Sequence, residues 1–358
     1  MQITYPKYFL GANSCEGFVS HFSDSYIAEA AWKAYIIKGG PGTGKSSFMK
    51  YMASRAQQRG LGVELCVCSS DPNSLDGIII KDIKTVFLDG TSPHVVEPKY
   101  AGACEEIINL GAFWDGRKLA EKQKEIIDIT NKNKRLHKAV SGYLSACGEL
   151  LYDNLKLSRL SADQNKSVNF AKNICKKYIP KKTGKKGTEW VRFIGGITPL
   201  GVISYTSTVT DFFENVIIID DKYGGVSGII TEQIRKYCLD NGYEIITLKN
   251  PFLPSELCDH ILIPQLSFAV ARESEYTNFK SDERRIHARR FTDVSQMHSA
   301  RPRMLFNRRV ARELLLTAST TLSKAKSVHD DLEKYYVDAM DFNAVAKYAQ
   351  GLADKIFK

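Results

Sequence analysis

The sequence lacks long hydrophobic runs: nothing in its 358 residues approaches the ~20 consecutive apolar residues that a membrane-spanning helix needs. No basic segment followed by an apolar core precedes Tyr8, so a secretory signal is not expected. The eight cysteines show neither the paired spacing of a zinc site nor a small disulfide framework. We therefore expect a cytoplasmic protein with reduced cysteines and no membrane partner.

Proline is also scarce, and a content of 43% hydrophobic and 25% charged residues is typical of a globular chain and not of a disordered one. The length favours two domains. A net charge of +10 suggests anionic partners, nucleic acid among them. The basic residues are spread out, however, and Gly184 and Gly187 interrupt the dense run that begins near residue 176, with no aromatic stacking platform interleaved. Nucleic acid is therefore a less favoured partner.

Two parts of the chain resemble each other. Phe9-Leu10-Gly11 recurs as Phe193-Ile194-Gly195, and each copy leads into an apolar run, a glycine-containing turn and a helical stretch. This order of landmarks predicts an internal duplication. We place one domain at residues 1–185 and the other at 186–358, with the boundary in the basic linker around 181–188.

The alternation of patterns predicts the fold class. Strands are expected at residues 34–38, 63–68 and 85–88, and helices at 46–59 and from about residue 71 or 74 to 81. Such βαβ units indicate an α/β protein with a parallel sheet of the P-loop NTPase type. From about 115 to 180 the pattern becomes helical, and the C-terminal half ends similarly. We expect a long helical hairpin beside the sheet in each half.

The strongest motif lies between the first of these strands and its helix, and it reads Gly39-Gly40-Pro41-Gly42-Thr43-Gly44-Lys45-Ser46. Glycines let main-chain N–H groups point at phosphate oxygens, and the following helix directs its N-terminal donors at the same anion. Lys45 is expected to bridge the β- and γ-phosphates, Ser46 to coordinate Mg²⁺, and Ser47 to add a hydroxyl nearby. The motif predicts nucleotide binding.

Carboxylates at the carboxyl edge of the sheet are candidates for the metal and the reaction. Asp89 ends the strand 85–88 and is predicted to bind Mg²⁺, although it could instead cap a turn. Asp71 ends the strand before it and could orient water or substrate, but helix capping by Asp71 or Asp76 explains it almost as well. Gly90 follows Asp89 where many ATPases have a glutamate, so slow hydrolysis is expected. His94 could sense the γ-phosphate, and an ordinary loop histidine explains it equally well.

The second half departs from this chemistry. Val226 stands where Lys45 is expected, and Asp220-Asp221 replaces the first two glycines, where carboxylates would repel an anion. Pro264 is expected at the position of Asp89. This half is predicted to be a pseudo-NTPase copy. It could still supply an arginine finger to the first site from four clustered arginines, Arg284, Arg285, Arg289 and Arg290, although a solvated basic face explains them better.

The motif, together with Cys68-Ser69-Ser70-Asp71-Pro72 and Asp89-Gly90-Thr91-Ser92-Pro93-His94, resembles an uncharacterised bacterial family of internally duplicated P-loop proteins described as ATP-binding proteins or ATPases. The resemblance implies ATP as the nucleotide and carries Lys45, Ser46 and Asp89 into their expected roles. It supplies no substrate.

The leading hypothesis is a Mg²⁺-dependent ATP-binding protein with slow ATPase activity in its N-terminal half. The C-terminal half then regulates or supports the first. A P-loop phosphotransferase acting on a nucleotide or small molecule is the alternative, because Asp89 has no neighbouring glutamate. A non-hydrolysing, nucleotide-dependent scaffold associated with nucleic acid is the third reading.

Overall fold

A computed structural model describes residues 5–182, 184, 186–279 and 283–358. Thr183 and Lys185 of the expected linker lie outside the described residues. The protein is α/β, with two six-stranded mixed sheets in which most neighbouring strands are parallel. The predicted α/β class is therefore confirmed. Among the described helices, none has the length and apolar character needed to cross a bilayer.

The strands formed by the described residues fall into two sets of eight, one in each half of the chain. The first set is β1 Lys7–Tyr8, β2 Gly11–Ser14, β3 Gly17–Ser20, β4 Lys33–Lys38, β5 Glu64–Val67, β6 Leu75–Ile80, β7 Thr85–Asp89 and β8 Glu105–Asn109. The second set is β9 Glu189–Arg192, β10 Gly195–Thr198, β11 Gly201–Ser204, β12 Asn215–Asp220, β13 Ile245–Lys249, β14 Cys258–Ile263, β15 Phe268–Glu273 and β16 Arg284–His287.

The helices include two that are much longer than the rest. In chain order the described α-helices are α1 Lys45–Gln58, α2 Gly116–Glu121, α3 Gln123–Leu160, α4 Gln164–Tyr178, α5 Ser207–Thr210, α6 Gly225–Asp240, α7 Val294–Val337 and α8 Phe342–Ile356, of which α3 and α7 are the two long ones. Aspartates cap several of them: Asp115, Asp163, Asp293 and Asp341 accept hydrogen bonds from first-turn N–H groups of α2, α4, α7 and α8.

The two large sheets have the same topology. Their strand orders are β1-β5-β6-β7-β4-β8 and β9-β13-β14-β15-β12-β16, so every strand of one has a counterpart in the other. The counterparts also agree in which neighbours are parallel and which are antiparallel. This agreement is compatible with an internal duplication, and the strand registers identify equivalent residues.

One expected helix is a strand. The segment predicted to be helical up to residue 81 forms β6, which lies antiparallel between β5 and β7. All six of its residues are buried, and three of them are consecutive isoleucines, which favour a pleated, buried environment. The sheet is therefore mixed where the pattern predicted a parallel one.

The halves meet around an approximate two-fold relation. Phe9 and its counterpart Phe193 exchange reciprocal backbone hydrogen bonds, with N–O distances of 2.8 and 2.9 Å. Similar pairs of backbone hydrogen bonds lie at the helix ends. The backbone N–H groups of Asp115 and Asp341 donate to the carbonyl oxygens of Ala339 and Phe113. Those of Asp163 and Asp293 donate to the carbonyl oxygens of Phe291 and Ser161. The two halves are therefore joined along their length.

The last helix of each half packs on the sheet of the other half. In α4, Ala171, Ile174 and Cys175 lie in the core formed by α6 and the second sheet. In α8, Val345, Ala349 and Leu352 lie in the core formed by α1 and the first sheet. The long helices α3 and α7 pack antiparallel against each other, as the bonds from Cys147 to Ala311 and from Asn154 to Met304 show. The last helices α4 and α8 are thus exchanged between the halves, because the apolar face of each is buried against the sheet of the other half.

Candidate functional site

The glycine-rich loop connects β4 to α1. Gly42 and Gly44 have φ angles of +68° and +87°, which L side chains rarely adopt. Gly44 is the N-cap residue of α1 and has no side chain with which to cap the first N–H groups of the helix. The Thr43 hydroxyl donates to Gly40 O at 2.8 Å and closes the turn. The loop thus presents donors at a helix N-terminus, where anions are favoured.

Lys45 and Ser46 both lie at the mouth of this loop. The Lys45 ammonium donates to Gly39 O at 3.1 Å and to Gly40 O at 2.9 Å, and its Nζ lies 3.7 Å from Asp89 Oδ2. The Ser46 Oγ accepts from the N–H of Leu75 at 3.0 Å. A serine oxygen with one accepted bond still has a lone pair and a proton to offer.

Asp89 ends β7 beside β4, where it pairs in register with Ile37. Its Oδ1 accepts from the N–H and the hydroxyl of Thr91, at 2.9 and 2.5 Å, so Asp89 also holds the turn that follows. Its other oxygen faces Lys45. The structure therefore brings Lys45, Ser46 and Asp89 to one edge of the sheet.

Asp76 and His94 lie beside Asp89, a grouping that the sequence patterns did not predict. One ligand atom from each of the three buried side chains lies within 4.8 Å of the others. Burial raises the pKa of Asp76 even though the nearby His94 lowers it, and the charge of Asp89 raises it further. The carboxyl group next to Asp89 is thus contributed by an adjacent strand, and not by the next residue, Gly90.

Asp71 lies at the same edge but serves its own turn. Its carboxylate accepts from Asn73 N–H at 3.1 Å and from the Ser74 hydroxyl at 3.0 Å. Its Oδ2 also lies 3.5 Å from Nζ of Lys326, a residue of α7. The expected helix capping by Asp71 or Asp76 is wrong, because the residues after Asp71 form a turn and then strand β6, which contains Asp76. The role of Asp71 toward water or substrate stays a prediction.

Helix α7, from the second half, packs on the loop of the first half. A Cβ at Gly40 would lie 2.5 Å from the Tyr336 ring, and one at Gly42 would lie 2.9 Å from Glu333 O. The His329 side chain holds the pKa of Glu333 below its ordinary value against the effect of burial, with smaller contributions from Lys326 and from the N–H of Gly42. A carboxylate of the second half therefore touches one loop amide.

The equivalent loop of the second half carries its own anion. Gly224 caps α6 at a φ angle of +86°, as Gly44 caps α1. The buried Asp221 carboxylate accepts four backbone hydrogen bonds: Oδ1 from Tyr223 at 3.3 Å and Gly224 at 3.1 Å, and Oδ2 from Val226 at 2.9 Å and Ser227 at 2.7 Å. The sequence predicted that this carboxylate would repel a bound anion. In the structure the carboxylate itself occupies the position of an anion in the loop.

The caps correct the expected alignment of the two loops. Because Gly224 matches Gly44, the counterpart of Lys45 is Gly225 and not Val226. A Cβ at Gly225 would lie 2.4 Å from Ser158 Oγ and 2.5 Å from Ser158 C. No lysine side chain fits there.

Strand register also corrects the counterpart of Asp89. Ile37 pairs with Asp89, and its counterpart Ile219 pairs with Arg272, so the equivalent residue is Arg272 and not Pro264. By the same register Asp259 matches Asp76. Arg272 Nε lies 2.8 Å from Asp259 Oδ1, and both residues are buried. The second site is therefore closed by an internal ion pair as well as by an internal carboxylate.

In the arginine cluster, Arg284 and Arg285 lie on β16 of the second sheet, and Arg289 and Arg290 lie in the 3-10 helix that follows it. Arg284 donates to the Tyr178 hydroxyl, and Arg285 pairs with Glu273. The part of the second half that contacts the glycine-rich loop is instead the end of α7 and the start of α8, where Phe342 lies 3.5 Å from the Cβ position of Gly44. Lys326 of the second half places a cation at the first crevice, 3.5 Å from Asp71 Oδ2.

Comparison of the chain with known protein families, with curated proteins and with solved structures finds no match. The function must therefore be argued from the site itself.

Proposed function

We propose that the N-terminal half binds ATP with Mg²⁺ on the loop of residues 39–46 and hydrolyses it slowly. The C-terminal half is a P-loop-like copy that no longer binds nucleotide. In this proposal the two halves are duplicated P-loop domains, as in the family that the motif resembles.

The comparison of the two loops carries the proposal. In the second loop four backbone N–H groups converge on a carboxylate, Asp221. In the first loop the equivalent position is Gly39, and the helix start has no side-chain cap. An N-terminus that one half neutralises with its own anion is left in the other half for an anion from outside.

The neighbouring side chains fit a polyphosphate with a metal. Lys45 is an ammonium whose hydrogen-bond partners in the loop are two carbonyl oxygens, contacts that phosphate oxygens can replace. Ser46 and Asp89 provide the hydroxyl and carboxylate oxygens that Mg²⁺ prefers. Bound Mg²⁺ would offset the charge of the phosphates. Hydrolysis also needs an oriented water, and Asp76, buried beside Asp89, is the nearest carboxyl group that could hold one.

Binding of ATP to wild type, Lys45→Ala and Lys222→Ala tests the proposal. Lys222 is an exposed lysine in the second loop and serves as the matched control. We expect Lys45→Ala to weaken ATP binding by at least tenfold and Lys222→Ala to leave it unchanged. Equal affinities for all three proteins would refute the proposal.

The rate of ADP formation distinguishes the two reactions. ADP that forms with water alone, and that Lys45→Ala abolishes, supports hydrolysis. ADP that forms only when a small-molecule acceptor is added would assign phosphotransfer to the same site. Nucleotide binding with no ADP under either condition would leave a non-hydrolysing switch.

A further inference from the structure

Three buried side chains meet beneath the candidate nucleotide site. Asp76 and Asp89 lie side by side on neighbouring antiparallel strands. Gly77 pairs with Leu88 in the β6–β7 register, and Asp76 precedes Gly77 while Asp89 follows Leu88. His94 comes from the segment after β7. Their relative exposures are 6%, 7% and 6%, and one ligand atom of each lies within 4.8 Å of the others. Two oxygen ligands and one imidazole nitrogen are thus held together out of bulk solvent.

Two buried carboxylates lie close together in this group. Lys45 is the ammonium close to Asp89, with its Nζ 3.7 Å from Oδ2, and the His94 Nε2 lies beside Asp76. Thr91 donates to the other Asp89 oxygen, and the Cys68 thiol bonds to Asp76. Buried carboxylates are costly without positive charge nearby, so a cation bound between these two would be favoured.

The histidine is placed as a ligand and not as a packed aromatic alone. Phe22 stacks on the His94 ring at a centroid distance of 4.5 Å and an angle of 7°, which fixes the plane of the imidazole. His94 Nε2 lies 3.7 Å from Asp76 Oδ1, too far for a hydrogen bond. Its buried Nδ1 has no hydrogen-bond partner among the described residues. Nε2 therefore faces Asp76 without a hydrogen bond, and Nδ1 is the ring nitrogen that has no partner.

In the second half, an arginine side chain lies at the position equivalent to this cluster. There Arg272 stands at the position of Asp89 and forms an ion pair of 2.8 Å with Asp259, the counterpart of Asp76. A guanidinium built into the sheet supplies the positive charge. In the first half that residue is a second carboxylate, so a bound cation could take the place of the guanidinium.

We propose that Asp76, Asp89 and His94 bind one divalent transition-metal ion, of which Mn²⁺ is the representative probe. Mg²⁺ and Ca²⁺ favour sites made of oxygen alone, whereas an imidazole nitrogen suits transition metals. The site uses Asp76 and His94, which lie outside the glycine-rich loop, and it needs no nucleotide.

Mn²⁺ added to the full chain without nucleotide tests this site, with the free ion followed by electron paramagnetic resonance. We expect one bound ion per chain, and at least tenfold weaker binding by Asp76→Asn and by His94→Gln. Asp220→Asn is the matched control, because Asp220 forms an exposed pair with His287 on the second sheet, at 2.8 Å, without a second carboxylate. Wild-type affinity in Asp76→Asn and His94→Gln would overturn the proposal.

A measurement on the wild-type protein covers the case in which the buried variants do not fold. Pulsed electron paramagnetic resonance of bound Mn²⁺ detects directly coordinated ¹⁴N. A coupling from one imidazole nitrogen supports the site, and its absence overturns it. Lys45→Ala separates this proposal from nucleotide binding: we expect it to lose ATP binding and to retain Mn²⁺ binding, so either proposal can fail alone.

Discussion

Replacing Asp221 by alanine removes the internal anion of the second loop while leaving the loop backbone unchanged. The carboxylate oxygen Oδ2 accepts from the N–H groups of Val226 and Ser227 at 2.9 and 2.7 Å. These two residues are 1% and 0% exposed, so water does not readily replace the lost acceptor. The substitution therefore measures the contribution of one buried carboxylate to the free energy of unfolding.

The size of the effect follows from those two donors. An unsatisfied buried donor costs about 1–3 kcal/mol, so losing the acceptor for both should cost about 2–6 kcal/mol. The bonds from Tyr223 and Gly224 are longer, at 3.3 and 3.1 Å, and should add less. We expect the free energy of unfolding to fall by about 4 kcal/mol.

Urea unfolding measures this change without adding ions. Circular dichroism and the fluorescence of Trp32 and Trp190, whose rings lie 5.3 Å apart across the two halves, give two probes of one transition. Asp220→Ala is the control, since its carboxylate is exposed and pairs only at the surface, where such pairs contribute about 0–1 kcal/mol.

A loss below about 1 kcal/mol for Asp221→Ala, equal to that of the control, would refute the assignment of the carboxylate as an anion substitute.

Three further predictions address other parts of the molecule. Glu333→Gln should bind ATP roughly fivefold more tightly than wild type in a direct titration, since removing a half-exposed carboxylate near the loop relieves about 1 kcal/mol of repulsion; unchanged or weaker binding would contradict this. Arg272→Met should lose about 3–5 kcal/mol in urea unfolding because it strands the buried Asp259, and the double variant with Asp259→Leu should recover most of that loss; equal losses would show that the ion pair is not the cause. Burial, with the Arg272 charge, lowers the pKa of His260 to about 3 from its ordinary value of 6.5, so the folded state keeps it neutral. The unfolded chain takes up this proton below pH 6.5, so stability is lost as pH falls, by about 1.4 kcal/mol per unit, and His260→Asn should reduce that slope by one proton; an unchanged slope would exclude His260 as its source.

The sequence patterns correctly predicted the features that depend only on residues close together in the sequence. The strand, glycine-rich turn and helix around residues 34–58 could be predicted because their signals are local: an apolar β-branched run, glycines needed at positive φ, and a helix-forming stretch. Asp89 at the carboxyl edge of the sheet follows from the same reasoning, since it directly ends an apolar strand.

Features that depend on distant residues were beyond those patterns. A buried run such as Leu75–Ile80 has no periodicity that separates a strand from a helix, and only its place between β5 and β7 decides the matter. The cluster of Asp76, Asp89 and His94 required that register. The role of Asp221 had a local signal, an aspartate just before a glycine at a helix start, but its charge was read as repelling a ligand.

The exchange of last helices has a consequence for how such a chain can arise and change. A single half, cut free, would expose the apolar face that α8 or α4 now covers, so it could complete itself only by lending that helix to a second identical copy and borrowing one in return. A symmetric pair of that kind must alter both of its sites together. Once the halves share one polypeptide, a substitution falls on one half alone, so Asp221 and Arg272 can stand in the second half where the first half has Gly39 and Asp89.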